Sequence, residues 1–385
     1  MIVSHITLKN WRNFQAVDVP LSDRVFLVGP NASGKSNFLD ALRFLRDIAK
    51  AGGGLQKAVS DRGGLSKIRC LAARRYSDVE IEVALSPSAD DGAKWRYAIG
   101  IKQQPRGARK PFLAYERVWR DGKQILKRPD DADRDDEERL TQTHLEQISA
   151  NIDFRGVSRF LESVSYLHVV PQLIRHPRAF TGPGLPGDPF GRSLLQRIGK
   201  TIDRTKKSRL KRIESALRIA VPQLKELAYV VDSAEGGIPH LEAVYDHWRP
   251  QGAKQRESEF SDGTLRLVGL LWSLLEREAP LLLEEPELSL NTAIVRKLPA
   301  LIHRMTRKNK RQVLISTHSA DLLSDKGIGH DEVLLLIPDS EGTRVQRASE
   351  NKEIRDLLDG GLSIGDAAFP HIDPRNMQQL LLFET

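Results

Sequence analysis

An α/β fold built on a mixed sheet, with an inserted and largely helical lobe, is what this sequence predicts, and three apolar runs carry the prediction. The first, Val25-Phe-Leu-Val28, ends in a glycine loop, and helical spacing of apolar residues follows from Ser36 to Ala49. The second, Leu281-Leu-Leu, ends in the acids Glu284 and Glu285. The third, Val313-Leu-Ile, ends in Ser316-Thr317-His318. Continuous apolar runs of this length suit parallel strands covered on both faces.

The other elements follow in order. Residues 2–9 alternate apolar and polar positions, as a half-buried strand does, and residues 78–119 hold three alternating stretches that read as an antiparallel meander. The charges of Asp130–Arg139 read as a solvated loop. Residues 171–192 hold five of the 20 prolines and read as a linker or irregular loop. Ser193 to Leu227 is helical in pattern and strongly basic, and strand-like and helical segments alternate from there on. These shifts predict an N-terminal half at 1–103, an inserted region at 104–255, a C-terminal half at 256–349 and a tail at 350–385.

Composition bounds the class. At 385 residues, 40% hydrophobic and 29% charged, the chain can bury two or three cores. One cysteine, Cys70, excludes an internal disulfide framework and fits a reducing compartment. No apolar run approaches the roughly 20 residues that span a bilayer. The first residues lack the basic-then-apolar pattern of a signal peptide, so a cytoplasmic protein is expected. The net charge of +8 is a modest bias towards polyanions.

Two strings carry chemistry. Gly29-Pro-Asn31-Ala-Ser33-Gly34-Lys35-Ser36 satisfies the G-x-x-x-x-G-K-[ST] phosphate loop, after a strand and before a helix. Glycines let the backbone turn its N–H groups to phosphate oxygens, and the helix N-terminus adds a favourable dipole. Lys35 supplies a compact charge for the β- and γ-phosphates, and Ser36 a hydroxyl for Mg²⁺. In Leu281-Leu-Leu-Glu284-Glu285-Pro-Glu287, one carboxylate can serve the metal and the next the attacking water, which assigns these roles to Glu284 and Glu285.

Further pieces narrow the class. Phe260-Ser261-Asp262-Gly263-Thr264 precedes an apolar helical stretch and then the acidic run, and the chain opens with Ile6-Thr-Leu-Lys-Asn10-Trp11-Arg12-Asn13-Phe14. In this order the motifs resemble those of the ABC-type P-loop ATPases of the SMC, RecF and OLD group, above all the stand-alone AAA-family predicted ATPases without a Toprim nuclease domain. The likeness covers residues 1–50 and 255–325. It implies ATP and Mg²⁺ as cofactors. Asn31, Ser33, Gly34, Lys35, Ser36, Asn37 and Arg12 would bind nucleotide, with Ser36 and Glu284 at the metal. Ser261 and Gly263 would contact the γ-phosphate held by a second copy, so that ATP drives a homodimer. Lys35, Glu285 and His318 would be catalytic, Glu285 polarising water and His318 sensing the γ-phosphate. Apart from the resemblance, a lone histidine behind a buried strand can equally be a packed edge residue. Two departures stand out: transporters carry Asp where Glu284 stands, and Leu288-Ser-Leu-Asn291 replaces the frequent Asn-Gly-Leu-His.

Partners are read from the remainder. Arg197, Lys200, Arg204, Lys206, Lys207, Arg209, Lys211 and Arg212 crowd one segment, and Arg304, Arg307, Lys308, Lys310 and Arg311 another. Such runs are either solvated helix faces or contacts to duplex DNA backbones. The segment after His318 has no Asp-x-Asp pair, and Asp131-Ala-Asp133 lies before Ser261-Asp-Gly-Thr264, so no built-in nuclease is expected. The expected role is an ATP switch in DNA maintenance or defence against foreign DNA, acting with a separate effector. The alternative is a regulatory module that controls a toxin or nuclease without touching DNA. Gln379-Leu-Leu-Leu-Phe383 resembles the short peptide that docks on bacterial sliding clamps; it can also be a terminal apolar segment packed on its own core. No membrane partner is expected.

Overall fold

The alternation of the first residues becomes a hairpin: β1 (Ile2–Trp11) pairs antiparallel with β2 (Phe14–Pro20). The meander supplies β4 (Val79–Ser86), β5 (Trp95–Gln103), β6 (Pro111–Arg120) and β7 (Lys123–Arg128), giving an antiparallel sheet of order β2-β1-β4-β5-β6-β7. A boundary at 103/104 therefore falls between two paired strands of this sheet. The computed structural model describes residues 1–73, 77–89, 91–104, 110–180, 187–232, 237–246, 253–276 and 279–372.

The three apolar runs are β3 (Arg24–Val28), β12 (Leu281–Glu284) and β13 (Val313–Thr317). With β8 (Ser165–Leu167), β14 (Val333–Asp339) and β15 (Gly342–Arg347) they form a second sheet, of order β15-β14-β3-β13-β12-β8. All its pairings are parallel except β14–β15. Seven helices among the described residues have seven residues or more. They are α1 (Lys35–Ala49), α2 (Arg155–Ser163), α3 (Leu194–Lys200), α4 (Asp203–Ala220), α5 (Asp262–Glu276), α6 (Leu298–Asn309) and α7 (Lys352–Asp359). The helical pattern expected to reach Leu227 stops earlier, because Leu224–Asp232 forms β9, which pairs with β10 (Ile238–Tyr245); β11 (Ala253–Arg256) completes this third sheet.

Strand periodicity sorts the second sheet's side chains into two cores. Val25, Leu27, Leu282 and Leu314 pack with α1 and the first sheet, while Phe26, Val28, Leu283 and Ile315 pack with α5, α6 and the lobe of α3, α4 and β9–β11. Both faces being covered explains why these strands read as unbroken apolar runs. No helix among the described residues is long and apolar enough to cross a membrane.

The charged run at 130–139 is largely exposed, as expected, but it is folded into helical turns rather than a loop and buries one of its charges. Asp130 caps a helical turn over Asp131–Asp135, and Asp133 is fully buried. The buried Arg128 guanidinium donates to both oxygens of Asp133 (2.9 and 2.8 Å) and to Glu116 (3.1 Å). Glu116 also accepts from the backbone of His144 and Leu145. Charge density alone cannot tell a solvated run from a paired one, which is why the sequence misleads here. Likewise the stretch expected to be irregular from 171 opens with a helical turn at Pro171–Arg175, led by a proline whose missing N–H costs nothing there.

Candidate active site

β3, β13 and β12 lie side by side and parallel, so their C-terminal ends deliver three loops to one edge. After β3 the chain turns tightly into α1. A Cβ on Gly29 would sit 2.7 Å from the Leu336 carbonyl oxygen, and one on Gly34, whose φ is 95°, would lie 2.2 Å from Asn13 Nδ2. Asn31 is exposed on this loop and Ser33 is buried beneath it. Lys35, 6% exposed, donates to the carbonyls of Gly29 (2.8 Å) and Pro30 (3.0 Å). Burial lowers its pKa, while Glu285, Glu287 and Glu284 pull it back up.

The β1–β2 turn braces the loop. Asn13 Nδ2 donates to the Ser33 carbonyl (2.9 Å) and accepts at Oδ1 from Asn37 Nδ2 (2.8 Å); Trp11 Nε1 donates to the Asn37 carbonyl (2.7 Å). Arg12 donates to Asp40 on α1 (3.0 Å). Arg12 and Asn37 thus hold the flank of the loop.

The acidic strand meets the loop directly. Ser36 Oγ donates to Glu284 Oε1 at 2.5 Å, and the Tyr166 hydroxyl, arriving on β8, donates to Glu284 Oε2. Burial and that bond raise the Tyr166 phenol well above its ordinary value, so it stays protonated. The Arg43 guanidinium stacks on its ring, 4.0 Å from the centroid. Glu285 occupies the left-handed region at φ 44°, a costly backbone for a non-glycine residue, and its Oε1 lies 2.9 Å from His318 Nδ1. Glu287 is buried and accepts the Thr317 hydroxyl; burial raises its carboxyl above the ordinary range, against that hydrogen bond.

Sequence reasoning missed Tyr166, Asn13 and Glu287. Asn13 and Glu287 stand inside strings that were noticed, but Tyr166 reaches Glu284 only through a strand pairing 115 or so positions away in the chain, which no local pattern announces.

Near this edge Ser33 Oγ, Ser316 Oγ and Glu287 Oε2 are buried with no hydrogen-bond partner among the described residues, an uncommon state for buried groups. Among the described residues no group of three or more His, Cys, Asp or Glu could hold a metal. A hydroxyl paired with one carboxylate beside a lysine suits instead an Mg²⁺ that keeps waters and shares phosphate oxygens. The donors present therefore fit a magnesium nucleotide.

Ser261-Asp-Gly-Thr264 stands at the start of α5. Ser261 is exposed just ahead of α5, its Oγ 2.8 Å from Thr264 Oγ1 and accepting from the Thr264 N–H. Gly263 is packed so that a Cβ would lie 2.6 Å from the Ser289 carbonyl oxygen. Neither hydrogen-bonds to residues 29–37 among the described residues. The basic segment is partly committed: Arg197 pairs with Glu276 (2.7 Å), Lys206 with Asp203 (2.8 Å) and Lys211 with Glu214 (3.2 Å), while Arg209 stacks on Trp272. Gln379–Phe383 lies outside the described residues.

Residues 24–325 match the family model described as "AAA domain, putative AbiEii toxin, Type IV TA system". Endonuclease GajA of Bacillus cereus (strain VD045) is 51% identical over 47 residues, 12% of this chain and 8% of that protein. The DNA replication and repair protein RecF of Chloroflexus aggregans is 30% identical over 108 residues, and that of Brucella abortus (strain 2308) 31% over 102; each match covers 24% of this chain and 26% of the relative. These matches span far less than the full length of the relatives. Among solved structures, an Smc head bound to the C-winged helix domain of ScpA superposes with a TM-score of 0.51 at 16% identity, covering 90% of this chain and 97% of that one. The Smc head with an extended coiled coil from Pyrococcus furiosus gives 0.50 at 13%, covering 93% and 99%. The likeness to these structures is one of fold.

Proposed function

As a member of that AAA domain family, and an ABC-type ATPase of the SMC, RecF and OLD group, this chain carries a P-loop head on which we propose that ATP is bound and hydrolysed between two copies. The observation that carries the reading is the meeting of Ser36 with Glu284, and of Glu285 with His318, at one sheet edge beside Lys35. Lys35 neutralises the β- and γ-phosphates, and the loop N–H groups orient them. Ser36 and Glu284 hold Mg²⁺, which supplies charge neutralisation at the transferred group. Glu285 takes a proton from the attacking water, with His318 fixing the carboxylate. Ser261, exposed at the start of α5, completes the partner's site. The dimer acts as a switch for a separate effector in DNA maintenance or in defence against foreign DNA. The matches to a repair protein and to an endonuclease support that setting.

A second reading, control of a toxin or nuclease partner without DNA, is favoured by one observation: four of the eight basic residues at 197–212 are already engaged within the protein. Lys207 and Arg212 are exposed and make no ion pair among the described residues, so reversing both to Glu separates the readings. If duplex DNA is the partner, affinity falls with salt and falls again in the double variant; if not, wild type and variant behave alike. The chemistry is tested by Lys35→Ala, which loses ATP binding, and Glu285→Gln, which keeps binding and loses about 10²–10⁴ in hydrolysis rate. Wild-type turnover by Glu285→Gln would refute the assignment.

A further inference from the structure

The two cores meet along a polar seam. Where the C-terminal end of α1, α2 and β8 face α3, α5 and the start of β12, a cavity of about 640 Å³ opens. Its far end, at Lys50, is separated from Lys35 by the length of α1, about 22 Å at 1.5 Å per residue, while its near wall includes Tyr166. Five cations from four segments line it: Arg46 and Lys50 at the end of α1, Arg159, Arg197 and Arg311.

Carboxylates neutralise only part of this charge. Glu162, Asp188 and Glu276 share the lining, and Asp47, behind it, binds both Arg46 (2.9 Å) and Lys50 (2.8 Å). Arg197 reaches Glu276 at 2.7 Å and Asp188 at 3.4 Å. The donors, however, outnumber the acceptors. Arg197 Nη2 is buried with no hydrogen-bond partner among the described residues, and so is the hydroxyl of Ser273, a residue 5% exposed. Arg159 is exposed at the rim and makes no ion pair among the described residues. Arg311 is held at the wall through the carbonyls of Ala279 (2.6 Å) and Ser273 (2.5 Å).

Unmet buried donors are costly unless something accepts from them. Guanidinium forks and a hydroxyl converging in a site of ordinary ligand size match an anion with several oxygens, best of all phosphate. We propose that this seam is a second ligand site, separate from the phosphate loop, which takes a small phosphate-bearing molecule no larger than a nucleotide. Such a ligand would bridge the two cores. One wall of the site is Tyr166, whose hydroxyl holds Glu284, so occupancy has a direct route to the acidic strand.

The test is calorimetric titration of full-length Lys35→Ala protein with inorganic pyrophosphate in Mg²⁺-free buffer, with AMP titrated in parallel to tell a bare phosphate from a nucleotide as the preferred occupant. Wild type is titrated alongside, so that a failure of the phosphate-loop assignment is seen separately. One saturable site is expected in Lys35→Ala. Arg159→Glu should weaken it by at least about tenfold, the loss of one charge-assisted contact. Arg159 is exposed and unpaired among the described residues, so its reversal leaves the fold intact; Arg197→Ala gives the same loss where it folds. Absence of saturable binding, or binding that Arg159→Glu leaves unchanged, overturns the proposal.

Discussion

Glu284 is held by two donors, Ser36 on one carboxylate oxygen and Tyr166 on the other, and the second bond sets up a test at the residue scale. Tyr166→Phe keeps the ring on which Arg43 stacks and removes only the hydroxyl. If Glu284 serves the metal, this change should raise the Mg²⁺ concentration needed for half-maximal hydrolysis by about tenfold, as loss of an outer-shell partner does, without weakening Mg²⁺-free ATP binding. A Mg²⁺ titration of hydrolysis reads this, and an unchanged midpoint would place Tyr166 outside the metal's influence. Lys35, Ser36, Glu284 and Glu285 were legible in the sequence because one strand–loop unit fixes each set locally. Tyr166 was not, since its role comes from β8 pairing with β12. The positive φ of Glu285 is also invisible in sequence; it turns the carboxylate towards His318 rather than along the strand.

At the scale of elements, two ion networks do work that composition does not reveal. Arg128, Glu116 and Asp133 are all fully buried between β6, β7 and the turn at 131–135. Removing one partner strands buried charge, so Arg128→Ala should cost about 3–5 kcal/mol in denaturant unfolding; a loss under about 1 kcal/mol would mean the site relaxes and admits water. On α1, burial works to raise the Asp47 carboxyl, but Arg46, Lys50 and Arg62 outweigh it and bring the pKa to about 2 from 3.8. A depressed folded pKa contributes stability that is present above the unfolded value and lost as pH falls through the folded one. Thermal stability should therefore decline between about pH 4 and pH 2, and Asp47→Asn should flatten that part of the profile while lowering stability at neutral pH. The apolar strands and the meander were legible from period and run length, whereas the turn at 131–135 and the early end of the helical pattern before β9 depend on tertiary pairing.

At the scale of the whole molecule, the second sheet separates two cores and gathers Lys35, Ser36, Glu284, Glu285 and His318 at one edge, while Ser261 stands exposed with no bond to residues 29–37 among the described residues. The order of motifs made this architecture legible, but not the third sheet, whose strands β9–β11 are mostly half-buried and lack a clean apolar run. The central claim is that two heads close on ATP. Light scattering of Glu285→Gln protein tests it most directly, since that variant is expected to bind ATP without hydrolysing it. The expected mass is 43.2 kDa without nucleotide, twice that with ATP and Mg²⁺, and 43.2 kDa again when Ser261→Arg is added. A mass of 43.2 kDa with saturating ATP bound would contradict it.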